Sequence, residues 1–207
     1  MASTEAIIHV VDDDTSFRKA VTRLLRAAKY QVRDYGSASE FISSDAAATP
    51  GCILLDLRLP GASGFDLQQS LATQEDRLPI IFLTGHGDIP ASVRAMKAGA
   101  VDFLTKPVQR ETLLRAVQSA LERDAAERKT RAILRELRTR YETLTARERE
   151  VLAHVISGKL NKQIGFALGT SERTIKAHRA SIMDKLGVQS VAQLTSMALD
   201  LGIEPIR

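Results

Sequence analysis

IIHVVDDDTSFRKAVTRLLRAA, residues 7–28, carries the first unit of an alternating strand and helix pattern. Ile7 to Val11 is an apolar run of strand length, three aspartates interrupt it, and Phe17 to Ala28 continues with helical periodicity. The same alternation recurs downstream. Gln31 to Tyr35, Cys52 to Leu55, Pro79 to Leu83 and Val101 to Leu104 read as four more strands. Helix-like segments Ala38 to Ser43, Phe65 to Ala72 and Ile89 to Ala98 lie between them, and a fifth begins near Arg110. Strands alternating with helices predict an α/β doubly wound, five-stranded parallel sheet. Such a sheet carries its ligand site beyond the carboxyl ends of its strands, near the switch in strand order.

The chain has 207 residues, enough for one large or two small domains. Its 44% hydrophobic and 26% charged residues exclude wholesale disorder and collagen-like chains. No apolar run approaches the roughly 20 residues of a membrane span. The first residues lack the basic and apolar segments of a secretory signal, which predicts a cytoplasmic protein with no membrane partner. The single Cys52 sits among apolar neighbours and reads as a small buried hydrophobe. The net charge of +4 is uneven: residues 1–121 carry −1, 122–142 carry +2 and 143–207 carry +3. An acidic first part suits a cation, and a basic last part suits a polyanion.

These cuts give three expected segments: an α/β domain over 1–121, a helical linker over 122–142 and an all-α domain over 143–207. In the linker the apolar pattern thins from Arg123 to Arg131, then resumes at near-heptad spacing with Ile133, Leu134, Leu137, Tyr141 and Leu144. Thr145 and Glu148 form a capping box for a helix that Gly158 ends. A short helix follows over Asn161 to Leu168. Ser171 caps a longer one to Leu186, and Ser190 a fourth to about Leu201. Helix, short turn with glycine, helix is the helix-turn-helix pattern.

Asp12, Asp13 and Asp14 follow the first strand, and Asp56 follows the third. A parallel sheet lays those strand ends side by side, so the acids converge. Clustered carboxylates repel unless a hard cation neutralises them, and a few oxygen ligands favour Mg²⁺. The fourth strand ends in Thr84, and the fifth delivers Lys106 before Pro107. A hydroxyl and an ammonium beside metal-bound carboxylates form a receptacle for a phosphoryl group.

In VVDDD (10–14), LLDLRLPGASG (54–64), FLTGHGD (82–88) and AGAVDFLTKP (98–107) the chain resembles the receiver domain of two-component response regulators. The fold implied is flavodoxin/CheY-like. The resemblance implies that Asp56 accepts the phosphoryl group from a sensor histidine kinase. It further implies that Asp12 and Asp13 hold Mg²⁺ and that Arg58 offers the metal a backbone carbonyl. Thr84 takes the place of the switch hydroxyl, Lys106 of the phosphate-binding lysine, and Phe103 of the aromatic whose rotamer reports the state. Pro107 takes the place of the proline after a cis bond.

Residues 144–188, LTAREREVLAHVISGKLNKQIGFALGTSERTIKAHRASIMDKLGV, resemble the LuxR-type helix-turn-helix domain. The whole chain is thus similar to the NarL/FixJ response regulators, nearest the FixJ subgroup. The resemblance implies double-stranded DNA, RNA polymerase and, on phosphorylation, a second copy of the chain as partners. It implies no enzyme beyond self-directed phosphotransfer and slow dephosphorylation. Two departures, Gly165 for a more usual alanine and Thr170 at a usually apolar turn position, predict looser packing of the turn.

Helical geometry divides the third helix of this domain independently. Ile175, Ile182 and Leu186 fall in one narrow stripe that faces a core, with Arg173, Lys176, Ala177 and Ala180 roughly opposite. Basic side chains among small ones can enter a major groove, where Lys176 reaches guanine or phosphate oxygens. Arg179 lies nearer the core side and reaches along the backbone, while Lys159 and Lys162 touch phosphates. With Thr174 these make the expected DNA-contacting set. A solvated face of an ordinary bundle is the alternative. His154 and His178 have no acid or cysteine at metal spacing and read as packed or capping residues.

Two other readings remain open at this point. Asp12, Asp14 and Ser16 form a D-x-D-x-[ST]-like string similar to the start of haloacid-dehalogenase-type phosphatases, with Asp12 as nucleophile; Asp88 is the lone later acid available to it. Alternatively the receiver carries a protein-docking or RNA-binding module. For pairing of two chains, the expected surfaces are Val93 and Met96 on the fourth helix, the stripe Leu134, Leu137, Tyr141 and Leu144, and Val191, Leu194 and Ala198 on the last helix. Unmasking of the third helix by a displaced receiver is the other expected route to activation.

Overall fold

A computed structural model describes residues 6–44, 49–73, 77–85 and 89–206. The chain forms two compact units, Met1–Arg128 and Lys129–Arg207.

In the first unit the strands are β1 (Ile7–Val11), β2 (Gln31–Tyr35), β3 (Gly51–Asp56), β4 (Ile80–Thr84) and β5 (Asp102–Thr105). They make one parallel sheet in the order β2-β1-β3-β4-β5. The helices between them are α1 (Thr15–Ala27), α2 (Ala38–Ser43), α3 (Gly64–Ala72) and α4 (Ile89–Lys97), with α5 (Arg110–Glu142) following β5. β1, β3 and β4 are buried along their whole length, His9 in the middle of β1 included, because both sheet faces are covered, and successive side chains alternate between the faces. Val11, Ile53, Leu55, Ile80 and Phe82 join one core with Phe41, Leu67, Leu71 and Ala95 of α2, α3 and α4. Ile8, Val10, Cys52, Leu54, Ile81 and Leu83 join the other with Leu25, Leu113 and Val117 of α1 and α5. Cys52 is fully buried there, as its neighbours required, and burial raises its thiol far above the ordinary range.

The strand ends differ from the reading by one residue where they carry polar side chains. Asp56 pairs with Leu83, and Thr105 with Thr84, so Asp56 and Thr105 lie inside their strands rather than after them. Ladder hydrogen bonds do not depend on side-chain polarity, whereas the apolar pattern does.

α5 is continuous through Arg123 to Arg131, where the apolar pattern fails. Charge pairs one turn apart support the helix instead. Arg123 Nε lies 2.8 Å from Glu127 Oε1. Arg128 Nε donates to both oxygens of Asp124, at 3.0 and 2.9 Å. Asp124 is itself buried and accepts from Gly51 N at 2.9 Å, and Arg128 also donates to the Thr49 carbonyl at 2.9 Å. This clamp fastens α5 to the start of β3.

The second unit holds α6 (Ala146–Ile156), α7 (Asn161–Ala167), α8 (Glu172–Leu186) and α9 (Val191–Asp200). Each expected cap is present. Thr145 and Glu148 exchange capping hydrogen bonds, Ser171 Oγ accepts from Thr174 N, Ser190 Oγ accepts from Gln193 N, and Gly187 closes α8 at φ 66°. The core gathers Val151, Leu152, Ile164, Ile175, Ile182, Leu186, Leu194 and Met197. Ile175, Ile182 and Leu186 are buried together, as their helical spacing demanded.

The second unit departs from two expectations. The α7–α8 turn is tight, not loose: Thr170 N donates to Gly165 O at 2.8 Å, and a Cβ on Gly165 would stand 2.9 Å from Thr170 O. Glycine permits the close backbone approach that alanine would obstruct. The apolar residues set aside for pairing are also largely consumed. Leu144, Leu194 and Ala198 are buried in the unit's own core, and Leu137 and Tyr141 pack against it. On α9 the large apolar side chains left exposed are Val191 and Leu199.

Candidate phosphoryl-receiving and nucleic-acid sites

The ends of β1, β3, β4 and β5 bring five of the expected residues to one edge of the sheet. Asp12 and Asp13 leave β1, which lies between β2 and β3 where the strand order reverses. Asp12, Asp13 and Asp56 each offer one carboxylate oxygen within 4.8 Å of the others. Asp12 is completely buried, Asp13 exposed, and Asp56 nearly buried. Lys106 spans the cluster: its Nζ lies 2.6 Å from Asp12 Oδ2 and 2.9 Å from Asp56 Oδ2. It also stands 4.3 Å from the centre of the Phe17 ring. Arg18, at the start of α1, donates to the Asp12 carbonyl at 2.6 Å.

The electrostatics follow from this packing. Burial raises the Asp12 carboxyl above the ordinary aspartate value, with the Lys106 ammonium opposing it. Burial also works against the charge of Lys106, but the hydrogen bonds to Asp12 and Asp56 outweigh it and leave the ammonium raised. A convergent set of hard oxygens, partly open to solvent through Asp13, is the donor chemistry a small divalent cation takes, so these residues fit Mg²⁺. Thr84 is buried at the end of β4. Arg58 is exposed just past Asp56, and its N–H donates to Asp56 Oδ1 at 3.3 Å. Phe103 is half-buried on β5, its ring 6.2 Å from that of Phe82, and Phe82 lies 5.5 Å from Phe65. The Lys106–Pro107 bond is cis.

Asp14 does different work. Its Oδ1 accepts from Ser16 N at 2.8 Å and Phe17 N at 3.1 Å, capping α1, and these bonds hold its carboxyl below the ordinary range. The second aspartate of the D-x-D-x-[ST]-like string is thus engaged in the α1 cap. Asp88, the later acid of that reading, lies outside the described residues, as do His86 and Gly87 of the FLTGHGD segment.

In the second unit α8 presents Arg173, Thr174, Lys176, Ala177 and Ala180 to solvent. Thr174 also serves the helix start, its Oγ1 2.9 Å from Ser171 Oγ. Lys176 Nζ lies 3.5 Å from Glu172 Oε1, one turn back. Arg179 is half-buried and donates to Asn161 Oδ1 at 2.9 Å, which ties α8 to the start of α7. Lys162 is exposed on α7, while Lys159 is half-buried with its Nζ 3.2 Å from His154 Nδ1. His154 is buried, and burial and then Lys159 hold its ring below the ordinary histidine value. It is a packed residue, as its isolation in sequence indicated.

Two side chains escaped the sequence reading. Glu148, expected as a cap alone, is also the anchor of α8: it accepts from Ser181 Oγ at 2.7 Å and from Lys185 Nζ at 2.9 and 2.7 Å. Phe166 on α7 is 92% exposed. For Phe166 the available signal was its position, one turn after Lys162.

Comparison with known proteins agrees with this division. Residues 8–118 match the response regulator receiver domain, and residues 142–198 match the bacterial regulatory proteins of the luxR family. Nodulation protein W of Bradyrhizobium diazoefficiens is 46% identical over 202 residues, covering 98% of this chain and 89% of that protein. The transcriptional regulatory protein FixJ of Rhizobium meliloti is 37% identical, covering 98% and 99%. Among solved structures, the response regulator StyR is 43% identical with a TM-score of 0.82 over 94% of this chain and 98% of that one. Among the described residues no helix is long and apolar enough to cross a membrane.

Proposed function

Because the chain belongs to the response regulators of two-component systems, in the FixJ subgroup that joins a receiver to a LuxR-type DNA-binding domain, we propose that Asp56 is its phosphoacceptor and Lys176 its principal base-reading cation. The observation that carries the first half is the Lys106 ammonium set between Asp12 and Asp56, with an Asp13 oxygen within 4.8 Å of theirs.

An Asp56 oxygen attacks the phosphorus of a sensor kinase phosphohistidine. The P–O bond to Asp56 forms as the P–N bond breaks, and the imidazole departs with the bond's electron pair. Lys106 already faces the reacting carboxylate and neutralises charge gathering on the phosphoryl oxygens. Asp12, Asp13, Asp56 and the Arg58 carbonyl are the groups that would hold Mg²⁺, which supplies Lewis-acid stabilisation of those oxygens when bound. The Thr84 hydroxyl then turns toward the new phosphoryl oxygens, and Phe103 moves into the space vacated beside Phe82. The repacking reaches α4, β5 and α5. Slow loss of the phosphoryl group to water returns the resting state; the chain turns over no other substrate.

Functionally we divide the chain at 121 and 142, with 122–142 as the helical connection along α5. The output is double-stranded DNA binding by the exposed face of α8. Arg173, Thr174, Lys176, Ala177 and Ala180 approach the groove, and Lys159, Lys162 and Arg179 approach the backbone. Two phosphorylated copies pair through α4, where Ile89, Val93 and Met96 form one exposed apolar stripe at i, i+4 and i+7. Pairing places two helix-turn-helix units on adjacent half-sites and raises affinity through effective concentration. RNA polymerase is the downstream partner, and the cytoplasm the setting.

Acetyl phosphate with Mg²⁺ tests the acceptor. The wild type gains one phosphoryl mass and Asp56→Asn gains none. Persistent label on the variant would contradict the assignment.

A further inference from the structure

Phe166 is an aromatic side chain that the fold does not use. It lies on α7 at 92% exposure, while its neighbours Ile164 and Gly165 are buried against the rest of the unit. Among the described residues no aromatic or cationic ring contact holds it in place. A phenyl ring left in water forgoes most of the stabilisation its burial would provide. Gly165 fixes where this ring goes. Its backbone meets the α7–α8 turn at Thr170, so the following residue projects away from the turn and the core.

The ring's helical position indicates what covers it. Lys162 and Phe166 are four residues apart and share one ridge of α7. Lys162 is exposed on that ridge and has been assigned above to the phosphate backbone. In a helix-turn-helix the first helix crosses the backbone while the second enters the groove. Between phosphates the backbone offers the C–H face of deoxyribose, an apolar surface matching a phenyl ring. The ridge therefore presents an ammonium for a phosphate and, one turn on, a ring for the adjoining sugar.

We propose that Phe166 is a DNA-contacting residue that packs on the sugar-phosphate backbone beside the phosphate held by Lys162. The inference rests on the DNA-binding reading of α8. It adds a sequence-independent contact that releases no counterion, so its contribution to affinity does not vary with salt, unlike that of a lysine.

The test uses the full chain, the phosphoryl mimic beryllofluoride and duplex DNA containing the operator, titrated at several salt concentrations. Phe166→Ala should weaken binding about tenfold, the share expected from half-burying a phenyl ring, and leave the salt slope unchanged. Lys162→Ala should lower the slope by about one. At 92% exposure the substitution removes no core packing, so the thermal midpoint should not fall. The chain has no tryptophan, so Phe166→Trp provides a single reporter whose emission should shift to the blue when duplex DNA binds. Wild-type affinity in Phe166→Ala, or an unmoved emission maximum in Phe166→Trp while DNA is bound, would overturn the proposal. Loss of transcription with DNA affinity intact would overturn it in favour of a protein partner on this ridge. Absence of any DNA binding by the wild type would instead defeat the reading on which the inference rests.

Discussion

Lys106 Nζ lies closer to Asp12 Oδ2, at 2.6 Å, than to Asp56 Oδ2, at 2.9 Å. The ammonium is thus held between two carboxylates that both face the expected metal position. In the proposed mechanism it would compete with a cation for their oxygens and, after transfer, turn to the phosphoryl group. Lys106→Ala should bind Mg²⁺ more tightly in a calorimetric titration, because the acids lose their internal counter-ion. The same variant should accept phosphate from acetyl phosphate about a hundredfold more slowly, the usual cost of one lost charge-stabilising donor. Weaker Mg²⁺ binding would show that Lys106 orders the acids rather than competing for them.

Glu148 gives the DNA-binding unit a distinct acid response. The Lys185 ammonium, with Ser181 and Thr145, holds its carboxyl down to about 2 from an ordinary 4.5. A carboxyl depressed by folding stabilises the fold above its unfolded value, and that stabilisation disappears as the pH drops through the folded value. The α6–α8 connection should therefore keep its full contribution above about pH 4.5 and lose it progressively toward about pH 2. Denaturant melts of wild type and Lys185→Met across that window check this. The variant should be less stable near neutrality, and the difference should shrink as acid is added. A constant difference would assign Lys185 to packing alone.

Gly165→Ala brings a methyl to 2.9 Å from the Thr170 carbonyl, and the obstacle is backbone that cannot swing aside. Overpacking of this kind costs about 1–3 kcal/mol. Urea unfolding should show that loss, together with weaker DNA binding as the α7–α8 turn opens. Unchanged stability would mean that the turn relaxes without penalty.

Val93 and Met96 are each 47% exposed and share a stripe with Ile89. Val93→Lys or Met96→Lys should leave phosphorylation of Asp56 intact yet keep the phosphorylated chain monomeric, because a lysine on each copy sets like charges across a symmetric contact. Equilibrium sedimentation at matched phosphorylation reads the result, and a dimer in both variants would move the pairing surface elsewhere.

The receiver's strands were legible because a sheet buried on both faces leaves long apolar runs, but the ladder carries β3 and β5 one residue past those runs, to Asp56 and Thr105. The caps at Thr145, Ser171 and Ser190 were equally legible, since a cap is a local contract between a side chain and the next turn. Contacts between distant residues were not. Asp124 binding Gly51, Glu148 binding Lys185, and the absorption of Leu144 and Leu194 into a core depend on which helices meet, and spacing along one helix does not encode that. Gly165 carried a legible oddity, but its sign was misread because the neighbour it accommodates is a carbonyl across a turn.

In the proposed mechanism a phosphoryl group on Asp56 pairs two chains and so raises operator affinity. Sedimentation of the full chain with and without beryllofluoride, run beside DNA titrations of the same samples and of the 143–207 fragment, separates pairing from unmasking. The expected result is a monomer that becomes a dimer with the mimic, tighter operator binding over the same mimic concentrations, and a fragment weaker than the activated chain. A chain that remains monomeric while its DNA affinity rises, with a fragment that outbinds the unphosphorylated chain, would contradict it and favour unmasking.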